Sequence, residues 1–251
     1  MFIVKVPGVN GNEKAKLAGN AILKELKNIE LNSQGKEVEF AKIDLEEIHL
    51  DDANLKLTNK LIYENAFESY ENNPRVIFLG GDGSVSYSLS RAFLDFADSS
   101  GKEPCLIVFD SKLDCLRIAE FASNRNWLRK VVEEGFNPKS ILIVGARELG
   151  KEEFNFVKNN GIRLVPLDKI MLTLEDSCDS IMEFSSGKEL YVSFDLNALD
   201  SKNKGGISDR EIIYLVSRIN KMKNLRSFDI TEVDVQKEEV RIAARIVSEL
   251  V

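Results

Sequence analysis

The stretch Tyr191-Val192-Ser193-Phe194-Asp195-Leu196-Asn197-Ala198-Leu199-Asp200 decides how the chain is read. It opens as an apolar run, as expected of a strand covered on both faces. It closes in Asp195 and Asn197, and side chains two apart on a strand point the same way. The two therefore converge just past a strand end, the rim where parallel α/β sheets bind ligands. Two earlier apolar runs end in the same manner. Residues 75–79 lead into Gly80-Gly81-Asp82-Gly83-Ser84, and residues 105–109 into Asp110-Ser111-Lys112-Leu113-Asp114.

Outward from these runs, strands and helices alternate along the chain. Short apolar, β-branched segments at 2–6, 38–45, 75–79, 105–109, 141–144, 162–165, 190–194 and 225–233 predict strands. Segments with helical spacing at 13–29, 55–70, 85–96, 127–134, 151–159, 174–184, 208–222 and 237–250 predict the helices between them. Asn12 is placed to cap the first helix, Asn160-Gly161 to stop the fifth, and Ser208 with Glu211 to form a capping box. No linker, repeat or low-complexity tract interrupts the alternation. The expectation is one α/β domain over residues 1–251, with helices on both faces of a mostly parallel sheet of about eight strands.

Composition narrows the function. At 251 residues and 43% hydrophobic the chain can build one full core, and its net charge of −7 argues against a nucleic-acid surface. Three cysteines, Cys105, Cys115 and Cys178, show no Cys-x-x-Cys spacing, so they predict reduced thiols in a cytoplasmic protein without a zinc site. The N-terminus enters a strand directly, with no signal-peptide pattern. No apolar run reaches about 18 residues, so no membrane span is expected. The single histidine, His49, lies in the acidic segment 46–52 and reads as a solvated loop residue. A rim without imidazole lacks the commonest metal ligand and general base.

Each strand end allows two readings by itself. The Gly80–Ser84 loop resembles the Gly-Gly-Asp-Gly loop of NAD kinases and lipid kinases, where amides at a helix start would hold phosphate. It is equally a glycine turn joining strand to helix. Asp110 and Asp114 suit a divalent cation, or form a solvated loop paired with Lys112. Asp195 follows a buried strand, where an unpartnered carboxylate is costly, so it either binds something or caps the loop.

Taken together and in order, the three motifs resemble those of the arginase, agmatinase and formiminoglutamase family, the manganese ureohydrolases. That family carries Gly-Gly-Asp-His-Ser, Asp-Ala-His-x-Asp and Ser-x-Asp-x-Asp-x-x-Asp-Pro, each at a strand end. Further segments agree: Gly145-Ala146-Arg147-Glu148, Gly205-Gly206-Ile207-Ser208-Asp209-Arg210-Glu211 and Asp229-Ile230-Thr231-Glu232-Val233. The similarity runs over nearly the whole chain and implies the arginase-like three-layer αβα sandwich. It also implies trimers or hexamers.

The departures fall on the metal ligands. The family holds two manganese ions with two histidines and four aspartates. Here the histidines are replaced by Gly83 and Lys112 and one aspartate by Asn197, while Asp110, Asp114 and Asp195 remain. A catalytic histidine of the family falls at Asn124. Glu232, where the family contacts a guanidinium, is kept, and Glu232, Asn124 and Asp82 are the expected ligand-binding residues. An ammonium cannot coordinate a cation and repels one. Lys112 is therefore expected to stand in place of the second ion among Asp110, Asp195 and Asn197. No cofactor is expected, or one divalent cation (Mn or Mg) on Asp110, Asp114 and Asp195; Arg147 or Lys202 are other sources of balancing charge. The resemblance thus implies a pseudoenzyme that has lost the binuclear site. It would bind a guanidino or amine ligand, or serve as a subunit, as a homo-oligomer or beside an active paralogue. The alternatives are a single-ion guanidino or amidine C–N hydrolase and, further off, a kinase-like nucleotide binder.

Overall fold

The computed structural model describes residues 1–51, 54–117, 120–199, 205–235 and 238–251. Eight strands form one sheet: β1 (Phe2–Lys5), β2 (Asp44–Glu47), β3 (Val76–Leu79), β4 (Pro104–Phe109), β5 (Ile141–Val144), β6 (Arg163–Val165), β7 (Glu189–Asp195) and β8 (Leu225–Thr231). Their spatial order is β2-β1-β3-β8-β7-β4-β5-β6, and every pairing is parallel. The central strands are buried along their whole length: β3, β4, β5 and β7 expose no residue. This is why they read as unbroken apolar runs rather than alternating ones.

Helices cover both faces, giving the three layers expected. One face carries α1 (Ala18–Leu26), α7 (Leu174–Ser185), α8 (Asp209–Ile219) and α9 (Glu239–Leu250), whose apolar stripes meet Ile77, Ile107, Val192 and Phe228. The other carries α2 (Leu55–Asn72), α3 (Val85–Ser99), α4 (Trp127–Glu133) and α5 (Lys151–Asn160), packed on Phe78, Val108, Ile143 and Tyr191. The predicted punctuation holds at two helix ends. Gly161 ends α5 with φ 72°, and Ser208 and Glu211 close a reciprocal capping box on α8.

The largest differences from expectation lie in the first helix, the second strand and the segment after β6. The helix predicted from residue 13 is a 3-10 turn, Glu13–Ala15, and α1 begins only at Ala18; the Asn12 side chain accepts from the Lys14 N–H in that turn. The strand predicted over 38–45 is displaced to Asp44–Glu47. Phe40–Lys42 forms a 3-10 turn, while Val38, Phe40 and Ile43 lean on the core from outside the sheet. β2 is an edge strand with all four residues exposed, so no apolar alternation marks it. A short helix, α6 (Leu167–Leu172), follows β6 where no element was predicted. Among the described residues no helix is long and apolar enough to cross a membrane, and all three cysteines are free and buried.

The order of strands opens the site. β3 and β4 lead to helices on one face, whereas β8 and β7, lying between them, lead to helices on the other. Their outgoing loops diverge, so the carboxyl ends of these four central strands lie at the sheet's topological switch point, where parallel sheets form their ligand crevice.

Candidate functional site

Four loops meet there. Gly80 and Gly81 leave β3 with φ of 129° and 58°, conformations that favour glycine. A Cβ on Gly81 would stand 2.2 Å from the Gly8 carbonyl oxygen. The turn is fastened on both sides, with Gly80 N–H donating to Ile230 O (3.0 Å) and Glu232 N–H to Gly81 O (3.1 Å). Asp82, expected to bind ligand, is instead the clamp of this loop. It is fully buried, and one carboxylate oxygen accepts from the N–H groups of Asn10 (2.8 Å) and Asn12 (2.9 Å). The other accepts from the Ser84 N–H (3.0 Å) and hydroxyl. Burial pushes its carboxyl up, and these donors pull it back.

The phosphate-cradle reading fails on the same geometry. The amides at the start of α3 already have acceptors: Gly83 N–H donates to Glu232 Oε1 (3.0 Å) and Ser84 N–H to Asp82. A bound phosphate would have to displace two carboxylates.

Asp110, Asp114 and Asp195 do come together. Each offers an oxygen within 4.8 Å of the others, and all three are buried. Asp110 Oδ1 accepts from the Lys112 N–H (3.1 Å), and Asp195 Oδ1 from the Asn197 N–H (2.6 Å). Asp114 Oδ2 accepts from the indole of Trp127 (2.9 Å), the single tryptophan of the chain. Asp114 Oδ1 is buried with no hydrogen-bond partner. Such an orphaned acceptor is costly unless something fills the space before it. Burial, first of all, raises all three carboxyls above the ordinary range. Asp110 next raises Asp114, and Asp110, Glu232 and Asp114 next raise Asp195. A cluster in which each member opposes ionisation of the others invites a cation.

Lys112 does not take the position expected of it. Its charge lowers Asp110 and Asp114, yet among the described residues its ammonium makes no ion pair with any of the three carboxylates. It stands beside the cluster, partly exposed, while its backbone N–H makes the direct contact with Asp110. Asn197 is held through its main chain. The Arg147 guanidinium donates to the carbonyls of Asn197 (2.9 Å), Ala198 (3.3 Å) and Leu199 (3.4 Å), so Arg147 braces the loop instead of balancing the acids. Asp200 and Lys202 lie outside the described residues.

Glu232 reaches the same crevice and is closely held. Besides Gly83 N–H, Oε1 accepts from Asn124 Nδ2 (3.1 Å), and Oε2 accepts from Asn12 Nδ2 (2.7 Å). Asn124 and Glu232 are thus brought together as expected, but bonded to each other. Gly83 leaves room: a Cβ there would meet Asn124 and Trp127 at ordinary distances of 3.5 Å and beyond. Asp114 (φ 47°) and Glu232 (φ 61°) are the two non-glycine residues with positive φ among the described residues. Such backbone strain concentrates at functional sites. His49 is exposed after β2, four strands from β7, and takes no part.

Sequence reasoning missed the support beneath this rim. Asp229 on β8 is buried and accepts hydrogen bonds from the hydroxyls of Tyr191, Ser193 (3.1 Å) and Ser86 (3.2 Å). It ties α3, β7 and β8 together beneath the rim, two strand pairs before Asp195. Burial raises its carboxyl to about 6 against the pull of those donors. The alternation of Tyr191, Ser193 and Asp195 on one face of a buried strand was the available signal. Trp127 could be found only as the lone tryptophan opening a helix.

Known proteins carry the same arrangement of chain. A sequence model described as "Arginase family" matches residues 4–251. The formimidoylglutamase of Halobacterium salinarum is 28% identical over 221 residues, spanning 82% of this chain and 71% of the relative. The crystal structure of formimidoylglutamase from Bacillus subtilis superposes with a TM-score of 0.86 at 20% identity, over 99% of this chain and 84% of that one. A Trypanosoma cruzi formiminoglutamase, described with Mn2+2, gives a TM-score of 0.84 at 16% identity, covering 99% of this chain and 91% of that one. With a family model matched over all but its first three residues and the expected strand-end motifs in place, the chain belongs to the arginase family.

Proposed function

We propose that this arginase-family chain binds a single divalent cation on Asp110, Asp114 and Asp195 and has lost the two-metal hydrolysis of its family. The observation that carries this is the buried triad with one orphaned oxygen, Asp114 Oδ1. A manganese pair does not fit the residues present. Gly83 offers no side-chain ligand, Asn197 is neutral, and Lys112 adds a positive charge beside the cluster. One hard cation on oxygen ligands does fit. Three carboxylates are then balanced by one divalent ion and the Lys112 ammonium.

The chemistry left to the chain's own residues is binding. Glu232 is held in place by three donors, two of them side-chain amides. A guanidinium or amine of a ligand can replace Asn12 or Asn124 on its oxygens with a charge-assisted hydrogen bond. No histidine stands in the crevice to act as general base. The reading therefore favours a cation-holding pseudoenzyme that binds a small guanidino or amine ligand or serves as an oligomer subunit. A second reading, a single-ion C–N hydrolase, draws on the same orphaned oxygen, because a cation held there would present its open positions to substrate.

Urea release from arginine and agmatine, and formamide release from formimidoylglutamate, each with and without added manganese, separates the two. The expected result is release at the uncatalysed rate under both conditions. Manganese-dependent turnover would replace the first reading by the second.

A further inference from the structure

At the opposite end of the strands from the carboxylates, a groove of about 640 Å³ runs between the β6 edge and α7. Its volume is that of a small-molecule site. Lys139, Arg163, Lys169 and Lys188 line it, against one carboxylate, Glu183, and its floor includes Leu142, Leu164 and Val165. Four cations facing one acid is a reversal for a chain with 41 acidic and 34 basic residues.

The cations are gathered rather than scattered. Arg163 and Lys188 both lie over the ring of Phe184, at 5.1 and 4.9 Å from its centroid. Two like charges on one ring repel, and cation–π attraction at an exposed site offsets this only in part. Lys188 has Glu103 at 3.4 Å as a partner. Among the described residues Lys139, Arg163 and Lys169 enter no ion pair. The Arg163 guanidinium therefore keeps its forked donors available beside two lysines, a combination suited to phosphate oxygens. The apolar floor gives a ligand's uncharged portion a surface to cover.

We propose that this groove is a binding site for a small organic phosphate carrying two or more phosphate groups, separate from the carboxylate crevice. The ligand bridges Arg163 and the neighbouring lysines and relieves their mutual repulsion. The proposal is independent of whether the carboxylates hold a cation.

Titration calorimetry of the full chain, stripped of divalent ions, with inorganic pyrophosphate and with ADP tests it. Two charge-reversed variants accompany the wild type: Arg163→Glu with Lys169→Glu in the groove, and Lys56→Glu with Lys60→Glu on α2. All four positions are exposed, so both variants are expected to fold. The expected result is saturable binding of at least one probe, weakened tenfold or more by the groove variant and less than twofold by the α2 variant. Three results would overturn the proposal. These are no saturable binding of either probe up to about 1 mM, binding that survives the groove variant, or an equal loss in both variants, which would mean net charge alone is felt.

Discussion

Asp114 carries the conflict on which the site turns. Its backbone is in the left-handed region, one oxygen is bonded to Trp127, and the other meets no fixed donor, its carboxyl sharing a hydrogen bond only with that of Asp110 when one of the two is protonated. Without a cation, ionising the cluster opposes folding, and the sign of the pH dependence follows. The carboxyls of Asp110, Asp114, Asp195 and Asp229 lie above their ordinary value of 3.8 in the folded chain, so the native state binds more protons than the unfolded one. Stability must then fall as pH rises above about 4, and keep falling through the raised values. For Asp229, raised to about 6, the loss between those limits is on the order of 3 kcal/mol. Chemical denaturation of ion-free protein at pH 4.5 and at pH 8 should show the lower stability at pH 8, with manganese restoring part of the difference. A flat or rising profile would mean the carboxyls are not held in their neutral forms. At pH 8 the same logic makes Asp114→Asn stabilising in the absence of metal, by about 1–2 kcal/mol, since the amide oxygen still accepts from Trp127 and a buried charge is gone. The manganese-induced rise in Tm should vanish in that variant, as differential scanning fluorimetry can read. Much of this was legible beforehand: the strand-end positions of Asp110, Asp114 and Asp195 follow from apolar runs ending in acids. The place of Lys112 was not, because a lysine's four-carbon stem lets its charge settle well away from its backbone.

At the scale of elements, the sequence was clear where burial is complete and obscure where it is partial. β5 matches its predicted bounds, and β3, β4 and β7 match within one residue, because strands covered on both faces leave an uninterrupted apolar signature. β2 was misplaced because an exposed edge strand has no such signature, and the nearby apolar residues Val38, Phe40 and Ile43 pack from a turn. The loop after β3 was recognised by its glycines, and of its two readings the structure favours the glycine turn over the phosphate cradle. Its amides serve Asp82 and Glu232, partners separated from it by up to 149 residues in sequence and so invisible locally. Gly81→Ala tests how far the crevice depends on this loop. The alanine Cβ would collide with the Gly8 carbonyl at a φ of 58°, so a loss of about 2–4 kcal/mol is expected from strain and displaced backbone. Urea denaturation would measure it, and a loss under 1 kcal/mol would show that the loop shifts freely.

Over the whole molecule, one parallel sheet sets the chemistry by bringing four strand ends, widely spaced in sequence, to neighbouring positions. The arginase fold is retained across that distance, with helices on both faces and the crevice between diverging loops. In the proposed reading the ligand set within it differs from the family's: three acids are present, Gly83 and Lys112 stand where the resemblance places histidines, and the carboxylate of Glu232 is bonded to amides. The central claim, that the crevice suits one divalent ion and not a pair, is tested most directly by counting. Protein saturated with manganese and freed of unbound metal by gel filtration should carry one equivalent per chain by atomic emission, and quenching of Trp127 fluorescence should saturate at the same ratio. Two equivalents per chain would contradict it.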